Sequence, residues 1–200
     1  MKKFLLVTAL AAVSISATEA NWGGFYARGG LNAVGTGVTD KLKDTAVKGK
    51  DSFSLAASFE IAAGWGMILS DAVYLGVDAQ VGNFNMDYKS IEGSDSKTIF
   101  AWSPNLQARV GLPLKSAMPY IAGGLGFQKI VSSTGKDTLP EGNFSWSARV
   151  GSDFKVTENF FVGVYGQFVK ALNEESGEGD LKTTKGTSAT VFGFNAGYQF

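Results

Sequence analysis

Six ionisable residues stand out in this chain: Arg28, Glu60, Asp78, Arg109, Arg149 and Asp153. Three guanidinium groups and three carboxylates brought together could relay protons or ions. The same set could instead neutralise itself as a buried plug of salt bridges, since buried charges survive only when paired. An Asp/Glu dyad is a conceivable acid–base pair in a chain with no histidine and no cysteine. Those two absences remove the commonest general base, the commonest metal ligand and all thiol chemistry. The glycine-rich run at 123–126 lies in a strand-like segment and not before a helix, so it does not read as a phosphate loop. It reads as a device that keeps a crowded interior from overfilling. No catalytic, cofactor or metal site is therefore expected, and the chain does not read as an enzyme.

What must position these six groups is a set of strands. From Trp22 onward the dominant period is two. In 53–69 one parity carries Phe53, Leu55, Phe59, Ile61, Trp65, Met67 and Leu69, and the other carries Ser54, Ser58, Glu60, Gly64, Gly66 and Ile68. The same division recurs in 25–34, 73–83, 98–114, 120–131, 144–156, 160–170 and 188–200, giving eight segments. Each is long enough for a tilted membrane strand of about 9–11 residues. Successive strand residues point to opposite faces, so each segment has a greasy face and a small or polar one. All six mid-strand charges fall on the small or polar parity. Gln80, Asn105, Gln107 and Tyr26 share it. Pro104 has no N–H for a ladder, so the core of the fourth segment is expected to begin at Asn105, with a bulge above it.

Connections alternate in length. Residues 70–72, 115–119 and 157–159 are short; 35–52, 86–97, 132–143 and 171–187 are long and hold most of the Lys, Asp, Glu and Ser. This is the plan of an eight-stranded antiparallel up-and-down transmembrane β-barrel, with short periplasmic turns and long outer loops. Charged residues are 18% of the chain, below the roughly 25% of soluble domains, and the mean hydropathy is +0.05, with no helix-length apolar span after the N-terminus. An alternating barrel reconciles these figures. The zero net charge gives no argument for nucleic acid. Aromatic girdles are expected at both water interfaces, with Trp65 and Phe160 at the short-turn end and Trp102, Trp146 and Phe168 at the long-loop end.

Residues 1–20 read as a secretory signal: Lys2 and Lys3, an apolar run at 4–13, then cleavage after Ala17 or Ala20. Residues 21–200 would form the barrel, exported to the outer membrane of a Gram-negative bacterium. The last strand presents Gly197, Tyr198 and Phe200, a pattern that resembles the sorting signal read by the barrel-assembly machinery. That run, the opening Trp22-Gly23-Gly24-Phe25-Tyr26 and the segments 119–126 and 161–165 resemble the opacity-family porins and the transmembrane domain of outer-membrane protein A. The resemblance implies a non-catalytic envelope barrel, without the peptidoglycan-binding domain of the latter relative. Its expected partners are outer-membrane lipid and lipopolysaccharide, the assembly machinery, and a host or cell-surface ligand at the loops. Three roles remain open from sequence: a structural and surface-interaction barrel, a narrow porin-like channel, and a soluble periplasmic calycin-like carrier with an apolar lumen.

Overall fold

The computed structural model describes residues 22–42, 45–47, 56–70, 72–89, 95–132, 142–171, 174–176 and 183–200. The expected signal at residues 1–20, Phe53, Leu55 and the tips of the long connections lie outside the described residues. Ten strands form a single antiparallel sheet: β1 (Gly24–Leu42), β2 (Thr45–Val47), β3 (Ala56–Ser70), β4 (Val73–Lys89), β5 (Asp95–Gly111), β6 (Ala117–Ser132), β7 (Gly142–Lys155), β8 (Phe160–Ala171), β9 (Glu174–Ser176) and β10 (Thr183–Gln199). The eight long ones pair in chain order, and β10 returns to pair with β1 from Tyr26↔Gln199 to Leu42↔Thr183. The sheet is a closed eight-stranded barrel, with β2 and β9 as short additions beside β1 and β10.

Alternation decides what each wall residue meets. On β1, Phe25, Ala27 and Leu31 face out while Tyr26, Arg28 and Asn32 are buried. On β7, Phe144, Trp146, Ala148 and Val150 face out while Ser145, Ser147, Arg149 and Asp153 are buried. The contrast is wide: Leu31 is 72% exposed and Leu125 71%, against 2% for Arg109. A water-soluble fold would place these residues the other way round. Carriers with an apolar lumen need the opposite arrangement, so the calycin-like alternative does not describe this chain.

Three differences from the sequence reading have local causes. The strands run further than the alternation of apolar residues indicated, because pairing continues into the polar segments. There Lys185 stands in register between Asp40 and Glu174, and threonine, a residue of high strand propensity, recurs in the sequence. Strand β5 does not begin at Asn105; it passes through Pro104, which faces outward opposite Val81. The ladder to β6 accommodates the missing N–H by skipping from Trp102↔Lys129 to Asn105↔Gly126, with an irregularity between Phe100 and Trp102 just above. Ile68, of inward parity, is exposed because the β3–β4 register shifts between Ile68 and Ser70.

The outward face sets a depth-dependent test. Val150→Arg, mid-wall on β7, is expected to destabilise the vesicle-folded barrel by about 2–4 kcal/mol, whereas Val156→Arg at the turn costs about 0–1. Urea titration of both variants in lipid vesicles measures the difference; equal, small costs would contradict a lipid-facing wall.

Candidate functional site

The bore is the site. Its residues come from all eight long strands, one inward position in two, and the space for them comes from glycine. A Cβ on Gly66 would collide with the Tyr74 ring, and one on Gly64 with Tyr26 and Asp78. At Gly124 it would lie 2.7 Å from both Gln107 and the Leu106 carbonyl, and at Gly163 it would strike Asp153. Outward-facing Gly123, by contrast, has nothing within 4 Å. Large polar side chains on one strand thus lie over bare backbone on its neighbour, which is how an interior barely wide enough for side chains admits them.

All six sequence-nominated charges are brought into this bore, in two adjacent networks. In the first, Arg28 donates to Asp78 at 3.0 Å, and Arg109 bridges Asp78 at 3.6 Å and Asp153 at 2.6 Å. Tyr26 donates its hydroxyl to the second Asp78 oxygen at 3.0 Å. In the second, Arg149 forks onto both Glu60 oxygens, at 3.2 and 2.8 Å, and donates also to Gln80 at 2.9 Å and to Gln167. The planar guanidinium lets Arg149 serve Glu60, Gln80 and Gln167 at once in fixed directions. Its faces are used too. Arg109 lies 4.0 Å from the Tyr120 ring centre and Arg149 3.9 Å from that of Tyr165, contacts worth up to about 2 kcal/mol when desolvated.

An aromatic layer caps the networks on one side and a mainly polar layer on the other. Toward the short turns, Trp22, Tyr26, Tyr74, Met118 and Phe161 form a buried cluster, with Tyr26 and Phe161 edge to face at 6.3 Å. The void it bounds together with Arg109 and Asp153 measures about 10 Å³, about the minimum needed for one water molecule. Toward the long connections, Asn105 and Gln107 donate to Ser147 at 3.0 and 3.3 Å, Tyr165 donates to Asn32, and Val34 packs on Val191.

Sequence reasoning missed Trp22, Tyr120 and Lys155 as lumen residues. Lys155 shares its parity with Asp153 and is 3% exposed; that parity was the available signal. Of the interface candidates, Trp65, Trp146, Phe160 and Phe168 project outward, with Trp146 and Phe168 5.6 Å apart. The side chain of Trp102 lies outside the described residues. Tyr198 of β10 and Phe200 just beyond it face out and touch edge to face at 5.2 Å, while inward Gly197 leaves room for the Phe161 ring. Among the described residues no helix is long and apolar enough to cross a membrane; the wall itself supplies the apolar belt.

Residues 5–200 match the family model for the outer membrane protein beta-barrel domain. Over 138 residues the chain is 28% identical to the 25 kDa outer-membrane immunogenic protein of Brucella melitensis biotype 1, covering 69% of this chain and 63% of that one. Over 112 residues it is 31% identical to the protein of the same name from Brucella canis, covering 56% and 51%. The chain therefore spans between 51% and 63% of the length of these relatives. Among solved structures, OprG of Pseudomonas aeruginosa superposes with a TM-score of 0.52 at 18% identity, over 93% of this chain and 99% of that one. Ail, the attachment invasion locus protein of Yersinia pestis, solved with the heparin analogue sucrose octasulfate, superposes with a TM-score of 0.51 at 12% identity, over 88% and 99%. At such identities the likeness is one of fold. With its closed wall, apolar exterior and ionic lumen, this chain belongs to the outer-membrane β-barrel protein family and resides in the outer membrane of a Gram-negative bacterium.

Proposed function

We propose that this protein is a non-catalytic, non-conducting outer-membrane barrel that braces the envelope and presents its long outer connections for adhesion or antigenic display. The observation that carries this reading is the filled bore. Two ion-pair networks, Arg28–Asp78–Arg109–Asp153 and Arg149–Glu60, occupy its middle, and an aromatic cluster closes the short-turn end. A through-path would require these paired, desolvated groups to separate.

Further support comes from where the chain's charge lies. The connections 35–52, 86–97, 132–143 and 171–187 hold most of the chain's mixed charges, where they suit lipopolysaccharide phosphates or a host or cell-surface ligand. The Brucella relatives carry the name immunogenic, and Ail is named for attachment and invasion. In this reading Trp65, Trp102, Trp146, Phe160 and Phe168 anchor the wall at the two lipid–water interfaces, and Gly197, Tyr198 and Phe200 form the segment that the barrel-assembly machinery reads.

Three outcomes are expected. In planar bilayers the purified barrel gives no steady single-channel conductance; a stable conductance would replace this reading with the porin-like one. Arg149→Met leaves Glu60 buried and unpaired, and lowers stability in urea titration by about 3–5 kcal/mol. Removing both charges in R149M/E60L recovers most of that loss, whereas an unrecovered double variant would show that the pair itself is not the source. Replacing residues 133–141 with a short Gly-Ser linker reduces binding of antiserum and of host cells to bacteria displaying the protein, while heat-modifiable gel migration persists. Unchanged binding with all four outer connections shortened would contradict surface display.

A further inference from the structure

Lys155 is anomalous in this bore. Its side chain is buried near the short-turn end, yet among the described residues no carboxylate pairs with it. A buried cation without a counter-charge must be held by oriented oxygens or a π face. Here the ammonium donates to the Glu158 carbonyl at 2.7 Å and to the Gln199 side-chain oxygen, and lies 5.1 Å from the Trp22 ring.

Gln199 stands at the seam, in register with Tyr26 where β10 meets β1. Its side-chain NH2 donates to the Gly23 carbonyl, so one amide ties Lys155 of β7 to the start of the first strand. Its backbone is gripped from the other side: Gln199 N–H donates to the Asn159 carbonyl at 2.7 Å, and Asn159 Nδ2 donates back to the Gln199 carbonyl at 2.7 Å. Phe200 N–H then donates to the Phe25 carbonyl at 2.9 Å. Trp22, beneath the ammonium, is pinned by its indole N–H to the Leu114 carbonyl at 3.0 Å. Every other wall junction joins strands linked by a connecting segment, which fixes their register locally. The β1–β10 junction joins the two most distant strands in the chain and has no such link.

We propose that Lys155, Gln199 and Asn159 form an internal clasp that fastens the β1–β10 seam, holding the last strand on the β7–β8 turn so that the first strand can close onto it. Closure of the seam, and not formation of the remaining wall, depends on this clasp. The lack of native cysteine makes the step readable. The full chain carries either a seam pair, A33C/F192C, or a wall pair, V110C/I121C, each in cross-strand register. It is diluted from urea into phosphatidylcholine vesicles and trapped at intervals with a short thiol cross-linker. Q199L and K155M are expected to slow the seam cross-link about tenfold, the scale of losing hydrogen bonds to a charged group. The wall cross-link keeps its rate, and Lys155→Arg restores the seam. Equal slowing of both cross-links, or slowing of neither, overturns the proposal. Should Q199L and K155M form neither cross-link, Asn159→Ala removes only one of the turn's bonds to Gln199 and carries the test: a seam slowed relative to the wall supports the clasp, and the absence of that difference overturns it.

Discussion

Hydrocarbon offers no hydrogen bonds, so any backbone N–H or C=O left unpaired within it costs several kcal/mol. A sheet satisfies that constraint only by closing, and in this protein β10 closes onto β1 in continuous register. Once the wall is closed, alternation allows only two environments. Residues of one parity meet acyl chains and those of the other meet the lumen, and no third place remains for an ionisable side chain midway along a strand.

The lumen then carries its own demand. A charge taken from water loses solvation worth several kcal/mol, which is regained only by close partners with good geometry. Arg149, forked onto Glu60 and lying over the Tyr165 face, meets that demand, and Arg109 is ion-paired with Asp78 and Asp153 over the Tyr120 face. The glycines opposite them are the other half of the same solution. Tyr74 over Gly66, Asp153 beside Gly163 and Gln107 beside Gly124 show large groups admitted by the loss of a neighbour's side chain. Ionic pairing and glycine placement together make the interior a filled core turned inside out, polar where a soluble domain is apolar.

Much of this was legible in the sequence because period-two alternation is a one-dimensional record of the wall. The parity of Arg28, Glu60, Asp78, Arg109, Arg149 and Asp153 placed them on one face, and the residues that share a network could not be inferred. Arg149 lies 89 residues from Glu60, and only closure brings them to 2.8 Å. Strand ends were harder, since backbone pairing outlasts the apolar pattern and continues into polar sequence, as at Lys185. Pro104 lacks a ladder donor yet does not end the strand, because a skipped ladder rung absorbs the loss. Lys155 and Trp22 turn inward at the short-turn mouth, where the alternation of the strand interior gives the weakest guide.

The proposed surface role rests on the filled bore, whose paired charges a conduit would have to separate. The orientation of the wall underlies that account, and a single-cysteine spin-label scan through residues 144–151 of β7 in lipid vesicles tests it most directly. Collisions with dissolved oxygen should peak at Phe144, Trp146, Ala148 and Val150 and fall at Ser145, Ser147 and Arg149, a period of two. Peaks at the odd positions, or no periodicity, would contradict it.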